Sequence, residues 1–426
     1  MHALSILHRA LVLDCPWMHT KRRGSLLAAV RAAIFGSRLM LSDLGRGLCG
    51  PTAVKHNIKR VDRLLGNAKL HAETAPVYEL LARHCLVGVP MPLIVVDWSD
   101  LSADRRWQLL RASVALEGRS VTLYEEVHPL SQMASRAVHK RFVARFCAML
   151  PPGCRPIVIT DAGFRSPWFQ LIEKSGWHFL GRIRNRDMVR PIETQAWIGC
   201  KQLYAKASSV AQALGRYAYV RSNPVICDLV LIKRTPKGRH KRSVFGIKVR
   251  SRHSLKQSRA SREPWLLAAS PTLSHLSAQA LAALYAQRMQ IEEAFRDLKN
   301  ERFGLGLSAS RSTQRRRLAV LLLIGALASF VLRLIGEAAK ARQMQFQFQS
   351  NTRRSRPVLS TISLALQIVR KGLFQFPPGE INAALTRLRQ PHPALQLCGE
   401  TSGSVPIYAG HTLLTTHLVQ DAYGQV

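Results

Sequence analysis

A chain of 426 residues that is 47% hydrophobic has the length for about two to four domains and a sizeable core, which excludes a disordered polymer. Lysine and arginine number 62 against 25 acidic residues, a formal charge of +37 at pH 7, and such an excess points to a polyanion, nucleic acid foremost. A ribosomal or nucleoid-packing protein would share the charge but would rarely carry this much apolar sequence.

Cysteines at 15, 49, 85, 147, 154, 200, 227 and 398 form no C-x-x-C pair and no zinc spacing, so they read as reduced thiols of a cytoplasmic protein. His, Arg and Asp break the opening MHALSILHRALVLDCPW, and no secretory signal is expected. Residues 1–88 read as helical. Ser42 is the expected N-cap of a short helix to Leu48, and Cys49-Gly50-Pro51 breaks it. A second helix from Thr52 puts Ile58, Val61 and Leu65 on one face and Lys55, Lys59, Arg60 and Arg63 outside it. That pair fits either a helix-turn-helix or an ordinary basic hairpin, and a DNA contact is expected of it.

Two apolar runs end in aspartate, PLIVVD at Asp97 and PIVITD at Asp161, with the β-formers of central strands buried on both faces. Runs at Leu109–Leu116 and Val121–Val127 complete a meander after the first. A helix over 135–150 follows, with Val138, Phe142, Phe146 and Met149 inward. The order of three strands, helix and strand resembles that of a ribonuclease-H-like core, in which the first and fourth strands lie side by side, and that resemblance implies that the two aspartates are neighbours. Asp100, Asp104, Glu125 and Glu126 are rival carboxylates. Asp100 falls on the opposite strand face from Asp97, and the other three lack a buried strand end.

Ser166-Pro167 opens another helix, closed by Gly176 before a strand over 177–184. From 186 the pattern turns to short β runs, 218–221, 226–233 and 244–249, with a turn at Pro236-Lys237-Gly238. From Lys233 to Arg262 there are twelve Lys or Arg and no acid. A solvated loop is the ordinary reading of such a run, but here Lys237, Arg239, Lys241 and Arg242 are expected to track phosphates. Trp265, in Pro264-Trp265-Leu266-Leu267, closes this stretch and on spacing alone reads as core.

Leu284–Asn300, LYAQRMQIEEAFRDLKN, is read as one helix. At ~100° per residue, Tyr285, Arg288, Glu292 and Lys299 fall within about 60° of one another, beside an apolar stripe of Leu284, Ile291, Phe295 and Leu298. Arg296 lies close by. A buried lone carboxylate is tolerated when paired or bound to metal, so Asp97, Asp161 and Glu292 suggest three oxygen ligands around Mg²⁺. Two such ions make the clamp of in-line phosphoryl transfer. Beyond this helix, Leu318–Leu332 is too short to span a membrane and reads as a buried core helix. Gln343–Gln349 with Arg353, Arg354 and Arg356 reads as a linker, and helix resumes at Val358–Leu373. The last 60 or so residues carry no functional signal.

The Tyr-x2-Arg-x3-Glu-x6-Lys pattern on Tyr285, Arg288, Glu292 and Lys299, with Asp97 after LIVV and Asp161 in TDAGF, resembles the DDE transposases of cut-and-paste bacterial insertion sequences, the group with the YREK signature. The match runs from about residue 40 to about 365. It implies an α/β fold with a ribonuclease-H-like core (89–185 and 272–310), an inserted basic β-strand region (186–271), an N-terminal helical DNA-binding domain (1–88), and a C-terminal helical region (311–426) suited to dimerisation. By the same resemblance Asp97, Asp161 and Glu292 are catalytic and hold two Mg²⁺ ions, for which Mn²⁺ can substitute, while Tyr285, Arg288, Arg296 and Lys299 contact DNA and Trp265 stacks on a flipped base.

The implied activity is binding of terminal inverted repeats by a homodimer in a synaptic complex, cleavage through a hairpin intermediate, and joining of 3′-OH ends to target DNA, in the nucleoid of a bacterial cytoplasm. A non-transposing nuclease or junction resolvase of the same fold, and a DNA-binding protein that no longer cuts, are the alternatives.

Overall fold

The computed structural model of the protein describes residues 1–390, apart from 103, 185–186, 236–246, 261, 354 and 373–374, together with residue 395. Five helices precede the first strand: α1 (His2–Leu13), α2 (Thr20–Ile34), α3 (Leu41–Arg46), α4 (Val54–Leu65) and α5 (Ala68–Leu86). Met40, not the expected Ser42, is the N-cap of α3, and it makes no side-chain cap bond. On α4, Val61 and Leu65 are buried, Ile58 is half-buried, and Lys55, Lys59 and Arg63 face out, as the sequence pattern requires. Gly45 lets α3 and α4 touch, since a Cβ there would lie 2.6 Å from the Ile58 Cα.

The expected meander follows as β1 (Leu93–Asp100), β2 (Trp107–Val114) and β3 (Val121–Pro129), then α6 (Arg136–Met149), β4 (Ile157–Thr160), α7 (Ser166–Lys174) and β5 (His178–Ile183). Val138, Phe142, Phe146 and Met149 of α6 are buried. Arg165, not Ser166, occupies the N-cap of α7. The Ser166 hydroxyl instead accepts a hydrogen bond from the Asn223 amide at 3.3 Å.

Next come β6 (Met188–Pro191), β7 (Ile198–Gly199), β8 (Gln212–Tyr219), β9 (Val225–Ile232), α8 (Arg252–Ala260) and β10 (Trp265–Ala269). The strand expected at 244–249 and the turn at 236–238 fall wholly or partly outside the described residues, as do Lys237, Arg239, Lys241 and Arg242. Helix α8 was not foreseen in a stretch taken as β. Its Lys, Gln, Arg and Leu are good helix formers, and the Ser251 hydroxyl accepts from the Ser254 backbone N–H at 3.2 Å to start it.

All ten strands of the described residues form one sheet in the order β3-β2-β1-β4-β5-β10-β9-β8-β6-β7. Strands β1, β4 and β5 are mutually parallel and the remaining pairs antiparallel. The first five strands have the ribonuclease-H-like order. The stretch after β5 continues that sheet through β10, which lies between β5 and β9.

Helices α9 (Ala278–Ala286) and α10 (Met289–Lys299) replace the single helix expected over 284–300. The ladder tightens between them: the N–H groups of Gln287, Arg288, Gln290 and Ile291 each reach back three residues, to Leu284, Tyr285, Gln287 and Arg288. That is 3₁₀ bonding, which re-aims the chain without a Pro or Gly.

The chain continues as α11 (Arg315–Ala341), α12 (Thr361–Lys371) and α13 (Pro378–Leu388). Helix α11 is long and apolar enough to cross a membrane, but 89% of its most apolar window is buried, so it is the core helix that Leu318–Leu332 suggested. It packs on α2, α5, β3, α12 and α13, and its Arg317 pairs with Asp62 of α4 at 2.7 Å. Helices that precede the first strand and helices α12 and α13 therefore pack around one helix. The expected linker at Gln343–Gln349 instead begins as a 3₁₀ turn, Met344–Gln347, with Met344 and Gln345 buried.

Gly336 marks the tightest point of that packing, since a Cβ there would lie 2.4 Å from both the Thr361 carbonyl oxygen and its methyl. The ~1 kcal/mol by which Ala exceeds Gly in helix propensity is outweighed by overpacking of about 1–3 kcal/mol. Gly336→Ala should therefore lower the melting temperature, and a stabilised variant would show that α12 can retreat from α11.

Candidate active site

Strands β1 and β4 pair in parallel with Leu93 opposite Ile157 and Val95 opposite Ile159. Carried two residues further, that register brings Asp97 level with Asp161, which follows the end of β4, while β1 runs on past Asp97 to Asp100 rather than ending at it as the sequence suggested. Across β1 and β2, Asp97 faces Arg111, and across β2 and β3, Arg111 faces Glu125. Four charged residues thus run in one row over the sheet.

Arg111 and Glu125 are almost wholly buried and paired at 2.6 Å; the Tyr78 hydroxyl donates to the other Glu125 oxygen at 2.8 Å. A buried pair of this kind holds its geometry because losing either partner strands a charge. Arg111 also lies 4.8 Å from the Phe295 ring of α10, so the row supports that helix from below. Of the rival carboxylates, Glu125 is committed to this pair and Glu126 to His128 and Arg145. Asp100 pairs with Arg105 near the surface, and Asp104 accepts from the Ser102 hydroxyl.

Asp97, Asp161, Arg288, Glu292, Arg296 and Lys299 line one cleft of about 830 Å³, with Trp98, Ser99 and Phe295. Asp97 accepts from the Trp98 N–H at 2.8 Å and from Arg288 Nη1 at 3.0 Å, and the other Arg288 nitrogen donates to Glu292. Arg288 thus bridges two of the three carboxylates. Asp161 accepts from the Gly163 N–H at 2.8 Å. Lys299 donates to the Ser99 hydroxyl at 2.7 Å and to the Asp100 carbonyl.

Burial, and next the Asp161 charge, push the Asp97 carboxyl up to about 7, against the pull of Arg288. Burial also opposes the charge on Arg288, but Tyr285, Asp97, Glu292 and Asp161 together hold its guanidinium above the usual range. Lys299 is brought down to about 8 by burial and by Arg111. Tyr285, buried in α9, is raised to about 12 by burial. It meets Trp265 edge-on at 5.0 Å, and Arg234 lies 4.9 Å from the other ring. Trp265 is half-buried and packed against the core, and neither it nor Tyr285 is among the residues lining the cleft.

Sequence reading missed the clamp on the far side of α10. The Gln290 side chain bonds both the N–H and the carbonyl of Leu116. Arg119 pairs with Glu293 and Asp297, and buried Arg333 of α11 donates to the carbonyls of Glu117 and Arg119 at 2.9 Å each. Glu293 and Asp297, spaced i, i+4 opposite Glu292, were the available sign of it.

A divalent cation suits this donor set. Asp97 and Asp161 are hard oxygen ligands whose mutual repulsion, visible in the raised Asp97, a cation would relieve. Among the described residues, no three His, Cys, Asp or Glu side chains are gathered as a ready metal set. Arg288 stands between Glu292 and Asp97, and the aspartate pair is what the fold brings together directly.

The sheet order and the carboxylate cleft define a mixed α/β domain, consistent with a ribonuclease-H-like build. The chain belongs to the transposase DDE domain family, whose model matches residues 89–330, and it is therefore a transposase, an enzyme acting on DNA. No curated protein matches the chain.

Because Asp97 is raised from 3.8 to about 7, the folded chain holds between those values a proton that the unfolded chain has released, and stability falls as pH rises through that window. Asp97→Asn removes the ionisable group while keeping its shape. In EDTA it should stabilise the protein at pH 8 by on the order of 1–3 kcal/mol and change little at pH 4, as read by thermal melts. Equal melting temperatures at pH 8 would mean that Arg288 cancels the repulsion.

Proposed function

We propose that this transposase belongs to the YREK-signature group of bacterial insertion sequences, and that it cuts and joins DNA with Asp97, Asp161 and Glu292 as its catalytic carboxylates. The observation that carries this reading is the level placement of Asp97 and Asp161 on adjacent parallel strands, facing the helix that bears Arg288, Glu292 and Lys299. The three carboxylates would hold two Mg²⁺ ions, or Mn²⁺ in their place, which supply activation of the attacking oxygen and stabilisation of the leaving oxygen.

The chain's own residues do the rest. Lys299 and Arg296 face the cleft and receive the scissile phosphate. Arg288 exchanges its carboxylate partners for a backbone phosphate, which frees Glu292 to act with the aspartates. Helix α4 offers Lys55, Lys59 and Arg63 to the terminal inverted repeats, and the basic stretch 233–262, with Lys237, Arg239, Lys241 and Arg242, tracks phosphates along them. Within this reading residues 1–88 serve end recognition and 186–271 the DNA flank, and 311–426 supports a synaptic homodimer.

The test is incubation of purified protein with Mg²⁺ and the DNA flanking its own gene. Excision with strand joining supports the proposal, cleavage alone points to a nuclease or resolvase, and binding alone to a silent DNA-binding protein. Asp97→Asn, Asp161→Asn and Glu292→Gln should each abolish cleavage while end binding stays within about twofold, because each removes a charged oxygen ligand and little else. A variant that cleaves near the wild-type rate in Mg²⁺ takes its residue out of the triad.

Trp265 concerns the hairpin step. A tight hairpin requires an extruded base, and stacking one on an aromatic ring is worth ~1–3 kcal/mol. The contacts of Trp265 with Tyr285 of the signature and Arg234 of the basic stretch support that role. Trp265→Ala should slow hairpin formation by roughly ten- to a hundredfold and spare the first nick. Equal loss of both steps with a lowered melting temperature would return Trp265 to packing.

A further inference from the structure

One buried side chain touches both aspartate-bearing segments without belonging to either. His139 of α6 is buried at 7% exposure, and its Nε2 lies 3.2 Å from the indole Nε1 of Trp98, the residue after Asp97. The indole N–H can only donate, so Nε2 accepts and the imidazole is neutral in that contact. Its burial, which drives the group down to about 4, agrees with that state. On its other side the ring stacks on Phe164, three residues after Asp161, at 5.2 Å and 19°. It also meets Trp168 of α7 at 5.0 Å and 74°. His128 of β3 closes the cluster edge-on against Trp98 at 5.6 Å, and is itself fixed to Glu126 at 2.8 Å and Gln132 at 3.2 Å.

Asp97 lies within β1 and Asp161 just past the end of β4, each two residues beyond the point where the parallel ladder between these strands stops: the last paired residues are Val95 and Ile159. Past that point backbone pairing between these two strands no longer sets their separation. The Trp98–His139–Phe164 contact bridges the segments just beyond it. We propose that His139 is a positioning residue which, through Trp98 and Phe164, fixes the spacing of Asp97 and Asp161 for a divalent cation. This rests on reading those aspartates as the metal-holding pair.

The test uses full-length protein and Mn²⁺, with binding followed by calorimetry beside the Mn²⁺ dependence of cleavage. His139→Phe keeps a stacking ring and removes the acceptor. It should raise the Mn²⁺ concentration for half-saturation by roughly 10–100-fold, the range for partners that orient metal ligands, with cleavage at saturating Mn²⁺ near wild type. His139→Gln, which can still accept from Trp98, should recover part of the loss. Trp98→Phe removes the same hydrogen bond from the other side and replaces His139→Phe should that variant not fold. The double variant should be no worse than the worse single one.

Unchanged Mn²⁺ binding in His139→Phe, additive losses in the double variant, or a lowered melting temperature as the only effect would each overturn the proposal. Asp97→Asn separates this failure from that of the reading beneath it. If Asp97→Asn binds Mn²⁺ like wild type, the aspartates are not the metal pair. If it loses binding while His139→Phe does not, only the role of His139 falls.

Discussion

Repulsion between Asp97 and Asp161 is the constraint that the surrounding structure answers. Two carboxylates are set level on adjacent parallel strands, one of them raised to about 7 by burial and by its neighbour. A fold optimised for stability alone would place an apolar residue at one of these positions. Here the cost is met by rigid surroundings: the buried Arg111–Glu125 pair next in the row, Arg288 drawn in from the helix above, and the aromatic cluster around His139 below. Sites that tune charged groups for chemistry are commonly strained in this electrostatic sense.

The helix above the sheet is held from two sides with opposite chemistry. Its cleft face carries Arg288, Glu292, Arg296 and Lys299, and its far face is pinned by Gln290, Glu293 and Asp297 to the turn between β2 and β3. Arg333 ties that turn to α11. The position of Glu292 therefore depends on a residue more than forty positions later in the chain, and on a helix that the N-terminal helices also pack against.

Much of this was legible in the sequence because the signals were local. The LIVVD and IVIT-D runs name buried strands, although β1 runs past Asp97 to Asp100, and the spacing of Arg288, Glu292 and Lys299 names a helical face; strand order followed from the resemblance of the element order to a ribonuclease-H-like core. What escaped depended on distant partners or on competing local preferences. The break at Gln287–Arg288 has no Pro or Gly to announce it. Helix α8 arose where a run of basic residues suggested strands, since straight-chain basic side chains suit helices better than strands. The Arg333 clamp and the His139 bridge join residues far apart in the chain, which periodicity cannot see. The placement of Trp265 lies between: spacing suggested core, and the structure leaves it half-buried against Tyr285.

Strands β5 and β10 are hydrogen-bonded neighbours, with Ile183 opposite Leu266, so the long stretch between them, whose strands β6 to β9 extend the same sheet, begins and ends at points about one strand spacing, ~4.8 Å, apart. Loop-closure entropy grows only with the logarithm of length, and a segment anchored this way can lengthen or shorten over evolution without disturbing Asp161 before it or Glu292 after it. The junction acts as a socket. A change of length seated there leaves the two halves of the catalytic cleft, one on each side of it in the chain, in register.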